Sequence, residues 1–353
     1  MRLGLNLGYW GRGNDRENLI MAQDADRLGY AVVWAAEAYG SDAPSVLSWV
    51  GALTEQVDLG AAIMQIPGRT PAMTAMTAAT IDTLSGGRFR LGLGVSGPQV
   101  SEGWHGVRFE APLGRTREYV DIVRMALRRD DVRYQGRHFT LPLPDGPGKA
   151  LRLTVRPERE EIPIYLAAVG PKSLELAGEI ADGWLAIFFA PEQSAELLAG
   201  LETGARRAGK GTPEAPLAGF DIVPTVPVVM TENLDLAYAM VSGYAALYLG
   251  GMGSREKNFY NQIAVRMGFE EAAATVQDLY LDGRARDAAA AVPREFLDAT
   301  SLLGPRERVR DRLAAYAEAG VTTLTISVFA PTLDDRRATV RTMVDLFEET
   351  GLG

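Results

Sequence analysis

Eight short apolar runs, each followed by an amphipathic helical stretch, recur along the whole chain: Leu3–Leu7, Ala31–Ala35, Val57–Met64, Phe89–Val95, Ile164–Ala168, Trp184–Phe188, Ile222–Met230 and Thr322–Phe329. A strand followed by a helix returns the chain to the edge it started from, so the strands pair in parallel. Eight such units suit a closed (β/α)8 TIM barrel, which runs from about 200 to over 400 residues with insertions. The 353 residues therefore fit one domain, residues 1–353. In such a barrel the C-terminal strand ends form the mouth where chemistry collects, so those ends carry the functional reading.

Two departures from the repeat read as insertions. Residues 132–157 form a hairpin before the fifth strand, with arms at Val132–Tyr134, His138–Leu141 and Leu151–Val155 around a Pro/Gly turn. Between the seventh and eighth strands, helices are expected over Leu234–Leu249, Arg255–Met267 and Glu270–Leu281, with a break at Gly250–Gly253. The helix after the third strand is sharply punctuated: Thr70 as N-cap, Pro71 at the first helical position, Gly86 and Gly87 at its end.

Composition removes several classes of function. There is no Cys, so no thiol catalysis and no disulfide framework. The only histidines are His105 and His138, which excludes a His-rich metal site and gives no plausible Ser/His/Asp triad. A net charge of −9 argues against a general nucleic-acid binder. No apolar run approaches the ~20 residues of a membrane span, and no signal-like segment opens the chain, so a cytoplasmic location without membrane attachment is expected.

Three glycine-bearing strand ends stand out. At Gly170-Pro171-Lys172-Ser173 a strand turns into a helix, which is either a plain β-to-α turn or an anion site built from free N–H groups and the helix dipole. At Gly92–Gly97 the third Gly of a dinucleotide fingerprint is missing; glycine there either packs the barrel or lets a flat ligand approach Gly94, Val95 and Ser96. Gly60–Arg69 offers small residues at a third strand end, for core packing or a planar group. Polar residues expected near the mouth are Asn6, Glu37, Ser96, Gln99, Glu102 and His105, with Tyr9, Trp10 and Trp104 beside them. A carboxylate such as Glu37 in an apolar mouth would act as an acid, or else anchor a loop.

These stretches resemble the luciferase-like monooxygenase superfamily, in particular its actinobacterial branch that uses the deazaflavin coenzyme F420. The resemblance runs through Arg2–Leu7, Val33–Glu37, Gly60–Thr70, Asp82–Ser96 (with Leu-Ser-Gly-Gly-Arg-Phe), Gly97–Trp104, Ala167–Trp184 (with Glu-Ile-Ala-Asp-Gly) and Tyr248–Ala264. It implies a non-proline cis peptide at Ala62–Ile63 behind the cofactor ring. It implies that Asn6, Glu37, Gly94, Val95, Ser96 and Gln99 surround that ring, and that Gly170, Pro171, Lys172 and Ser173 hold the phosphate. Arg255 and Lys257 would contact an acidic tail or substrate. Glu37 or His105 would exchange a proton, and Trp10, Trp104 and Tyr248 would wall the substrate pocket. Many relatives carry His after the second-strand acid; Ala38 stands there here. The implied activity is F420-dependent hydride transfer to or from a small molecule. The alternatives are an FMN-dependent monooxygenase fed by a partner reductase, and a cofactor-binding protein without turnover. A homodimer is implied, with the small residues Ala72, Ala75, Ala78 and Ala79 permitting close helix packing.

Overall fold

The computed structural model describes residues 1–11 and 13–352. Eight parallel strands close on themselves: β1 (Arg2–Asn6), β2 (Val32–Ala35), β3 (Asp58–Ala61, resumed at Met64–Gln65), β4 (Phe89–Gly94), β5 (Ile164–Ala167), β6 (Gly183–Ile187), β7 (Asp221–Met230) and β8 (Thr323–Val328). Each pairs with the next, and β8 returns to β1 in the register Gly4↔Thr325. The barrel expected from the eightfold alternation is therefore present.

Its interior is filled by unequal partners. Trp34 and Tyr165 pack edge-on, 5.3 Å apart, with Val32, Leu185 and Val223 around them. Glycine makes the room: a Cβ on Gly60 would lie 2.1 Å from the Trp34 ring, and one on Gly183 2.4 Å from Tyr165. A larger apolar shell, including Leu5, Leu59, Leu91, Ile164 and Ile326, lies between strands and helices.

The N-terminal end of the barrel is closed by charge. The buried Arg90 guanidinium donates to Asp58 (2.7 Å), to the Tyr165 hydroxyl (3.2 Å) and to Asp221 (3.2 Å). Asp221 also meets Arg2 at 2.9 Å and the hydroxyls of Tyr165, Thr322 and Thr323. The neighbouring Arg88 donates to the carbonyls of Gly51, Thr54, Val57 and Ser85. Asp82, fully buried, accepts from Arg159. The Leu-Ser-Gly-Gly-Arg-Phe segment thus ties helix ends to the floor of the barrel, away from its mouth. Glu-Ile-Ala-Asp-Gly works alike: Glu179 pairs with Arg117 and Arg207, and Asp182 with Arg124 and the Ile164 N–H.

Local expectations were met unevenly. Thr70 caps the helix Pro71–Leu84 by accepting from the Met73 N–H. Gly86 and Gly87 both have positive φ, which ends the helix. In the first insertion only Tyr134–Gln135 and Thr140–Leu141 pair; the expected third arm, Leu151–Val155, forms no strand and is held by single bonds such as Val132 N–H to the Leu151 carbonyl. In the second insertion the helix expected from Arg255 begins only at Asn261, after a turn over Ser254–Lys257. Helices at Ala285–Ala290 and Arg294–Ala299 and a strand at Leu302–Gly304 beside β7 were not anticipated. No helix among the described residues is long and apolar enough to cross a membrane.

Candidate active site

At the mouth, β3 is interrupted by a cis peptide between Ala62 and Ile63, where the resemblance implied one. Both residues keep part of their surface open. The interruption sits against glycine on β4: a Cβ on Gly92 would meet the Ala61 carbonyl oxygen at 1.8 Å, and one on Gly94 would meet Ile63 at 2.9 Å. These glycines serve close packing of the two strands and leave Ala62, Ile63 and Val95 partly open at the mouth.

Three polar side chains are joined beside this interruption. Gln65 is buried on the resumed part of β3. Its amide N–H donates to the Ser96 hydroxyl at 2.7 Å, and its amide oxygen lies 2.9 Å from His105 Nε2. Since the amide nitrogen is committed to Ser96, its oxygen accepts, and His105 must carry hydrogen on Nε2. The Ser96 oxygen, already accepting from Gln65, keeps its own hydrogen to donate. Ser96 has a φ of 58°, a left-handed conformation that turns the chain sharply after β4. Across the barrel, Asn6 donates to Ser327 at 2.8 Å and accepts from the Gly8 N–H at 2.9 Å.

Glu37 occupies the end of β2, but its surroundings correct the expectation of an apolar mouth. Its carboxylate is paired fork-to-fork with Arg69 at 2.8 and 2.9 Å, and it accepts from the N–H groups of Ala43 and Gln65. Arg69 also pairs with Asp42. Burial alone would lower the Arg69 pKa; hydrogen bonds and charge from Glu37, and the charge of Asp42, raise it. With both oxygens doubly engaged, Glu37 holds a loop and an arginine in place.

At the turn expected to hold phosphate, Gly170 precedes the helix Pro171–Ile180, with Lys172 exposed. The Ser173 hydroxyl accepts from the N–H groups of Val169 and Gly170 at 3.2 and 3.0 Å and so shapes the turn itself. Arg266, from the insertion, donates to the Val169 carbonyl at 3.0 Å. Burial lowers its pKa, offset in part by Glu196. Arg255 is paired with Asp278 and Lys257 is exposed, so neither is held at the mouth.

The remaining expected residues are scattered. Trp10 is buried edge-on against Trp49 at 5.7 Å. Trp104 is 66 % exposed, so the expected wall is missing there. Gln99 and Glu102 are exposed, with Glu102 accepting from the Phe109 N–H. Tyr248 lies among aromatic side chains over the mouth. His138 belongs to the hairpin, its N–H held by Glu118. Among the described residues no acidic or His cluster could hold a metal.

The model of the luciferase-like monooxygenase family matches residues 9–323. The chain belongs to that family. A Mycobacterium tuberculosis protein named as a coenzyme F420-dependent oxidoreductase is 43 % identical, over 93 % of this chain and 95 % of its own. A 5,10-methylenetetrahydromethanopterin reductase of Archaeoglobus fulgidus is 28 % identical over 84 % and 85 %. In fold, the chain matches the coenzyme F420-dependent tetrahydromethanopterin reductase of Methanopyrus kandleri with a TM-score of 0.81, covering 97 % of each at 24 % identity.

In this luciferase-like chain, sequence reasoning passed over Gln65, Arg69 and Arg266. Gln65 did leave a signal: it is the one polar residue between Gly60 and Pro67 in an otherwise apolar strand. Arg69 and Arg266 left none, because each acts through a partner distant in sequence. Glu37→Gln is expected to set a donor against the N–H groups that Glu37 now receives. Stability should fall by about 1–3 kcal/mol, with Asp42 retaining part of the Arg69 pairing. Urea unfolding reads this, and the pH dependence of turnover should not move.

Proposed function

We propose that this protein is a coenzyme F420-dependent oxidoreductase. The observation that carries the reading is the interruption of β3 at Ala62–Ile63, partly open at the mouth and packed against Gly92 and Gly94, with the start of the helix Pro171–Ile180 and the exposed Lys172 after the next strand. The 43 % identity to a protein named for the same cofactor supports deazaflavin over FMN. Bound there, the cofactor supplies a hydride donor or acceptor at its C5 carbon.

The chain's own residues bind, orient and exclude water. The helix N-terminus after Gly170, with Lys172 and Arg266, holds negative charge. Gln99 is free to reach the ring edge, and Asn6 and Ser96 offer hydrogen bonds at the rim. His105 replaces Glu37 as the residue we assign to proton exchange: Gln65 fixes the ring through Nε2–H and leaves Nδ1 to take and give the proton, while Glu37 is locked to Arg69. His105→Asn is expected to lower turnover about a hundredfold, the low end for losing a general acid or base, with cofactor affinity within about threefold of the wild type. Single-turnover oxidation of the reduced cofactor checks this.

Fluorescence titration with F420 and with FMN, each oxidised and reduced, tests the reading. Tight F420 binding with weak FMN binding upholds it; the reverse moves the chain to the oxygen-using side of its family. Binding without turnover over a broad carbonyl panel leaves a carrier.

A homodimer is part of the reading. Ala75, Ala78 and Ala79 face the chain's own barrel and are fully buried, so they do not make the contact. Trp49, Met73 and Met76 stand exposed on the two helices after β2 and β3, with Leu53 just past the first, and offer the apolar face instead. Sedimentation showing only monomer would remove it.

A further inference from the structure

Across the mouth from the Ala62–Ile63 interruption, the helical insertion brings in a group of tyrosines. Tyr244 lies in the last turn of the helix Leu234–Ala246, and Tyr248 lies on the π-helical turn Leu247–Gly251 that continues it. Such a turn carries an extra residue, shifts the helical register and re-aims side chains, often at functional positions. Here Tyr248 comes within 4.9 Å of both Tyr244 and Tyr260, ring centroid to centroid. The turn is pressed tightly into place: a Cβ on Gly250 or Gly251 would meet Tyr280 at 2.4 Å.

Three further aromatic residues locate this group. Phe188 follows β6 and lies 5.7 Å from Tyr244 and 5.9 Å from Tyr248. Phe329 follows β8 and lies 5.7 Å from Tyr244. Tyr9 follows β1 and shares a hydrogen bond with Tyr248. All three stand just past C-terminal strand ends, so the aromatic group roofs the mouth over β6, β8 and β1. The side chains of Tyr244, Tyr248 and Tyr260 keep part of their surface open.

Among the described residues the group itself contains no charged side chain. Burial, then neighbouring phenols, raises the pKa of each of these tyrosines, Tyr260 to about 12. Among the described residues, the ionisable neighbours that act on Tyr244 and Tyr260 are other tyrosines. An anion placed there would lose its water and gain no counter-charge from the described residues of the group, which is costly. A flat neutral molecule would gain ring contacts on several sides and a hydroxyl donor for its oxygen.

Resting on the oxidoreductase reading, we propose that this tyrosine roof is the substrate subsite and that it selects a neutral, flat organic carbonyl compound over phosphorylated or carboxylated ones. The probe is 1-tetralone, a neutral aromatic ketone, with glucose 6-phosphate as the charged comparison. Each is titrated calorimetrically into the full chain, with and without oxidised F420. We expect 1-tetralone to bind and glucose 6-phosphate to bind at least about tenfold more weakly, a difference of about 1.4 kcal/mol. Tyr244→Ala should weaken 1-tetralone about tenfold or more, and Tyr244→Phe, which keeps the ring, should weaken it less, with F420 affinity unchanged in both. The proposal is overturned by glucose 6-phosphate binding as tightly as 1-tetralone, by 1-tetralone affinity indifferent to Tyr244, or by no 1-tetralone binding in either form. Failure to bind F420, with Tyr244-dependent 1-tetralone binding intact, instead removes the cofactor reading and keeps the subsite.

Discussion

Gly92→Ala is expected to cost more than about 3 kcal/mol and to abolish cofactor binding in whatever folded protein remains. The added Cβ would stand 1.8 Å from the Ala61 carbonyl oxygen and 2.9 Å from a Leu185 methyl. A side chain can rotate away from such a clash; a strand carbonyl cannot, because it is fixed by the pairing of β3 with its neighbours. Inserting volume into a packed core typically costs about 1–3 kcal/mol even where side chains absorb it. Here the strain falls on the peptide just before Ala62–Ile63, at the candidate site. Thermal unfolding and F420 titration measure both effects. Gly103→Ala is the matching control, since a Cβ there meets nothing within 4 Å, and it should behave as wild type.

Arg90→Met should destabilise the chain by about 3–5 kcal/mol, the range for removing one partner of a buried ion pair. The guanidinium is nearly sealed from solvent; burial alone would lower its pKa, but Tyr165, Asp58 and Asp221 together raise it. Methionine keeps the aliphatic volume and leaves Asp58 and Asp221 without that charge. Arg2, Tyr165, Thr322 and Thr323 still serve Asp221, which places the loss toward the lower end. The network lies at the N-terminal end of the barrel, where residues serve stability. Urea unfolding should therefore show the whole effect, and F420 affinity of the surviving folded protein should stay within about twofold. A comparable loss of affinity would mean that the two ends of the barrel are coupled.

The contrast between Arg90 and Glu37 shows where reading residues in order succeeds and fails. Arg90 lies on a barrel strand and Glu37 just past the end of one, and the strand pattern alone locates each near one end of the barrel. What each does depends on partners far away in the chain: Arg90 on Asp221, and Glu37 on Arg69, which lies beyond the next strand. The same holds for His105. Its residue type made it a candidate for proton exchange, but the hydrogen on Nε2 follows only from Gln65 being committed to Ser96.

Period and punctuation are local, so the sequence by itself determined the eight strands, the helix boundaries at Thr70 and Gly86, the Ala62–Ile63 interruption by family likeness, and the Gly170 turn. A run of alternating strands and helices has few ways to bury its apolar faces, and closure into a barrel is one of them. The tertiary structure alone decided that Glu37 is locked in an ion pair and that Trp104 faces solvent. It alone joined Gln65 to His105 and Ser96, and gathered Tyr9, Tyr244, Tyr248 and Tyr260 over the mouth. These are facts about distance between residues up to hundreds of positions apart. Hydrogen bonds and ring contacts act over a few ångströms, so only the closed barrel sets which groups come within their reach.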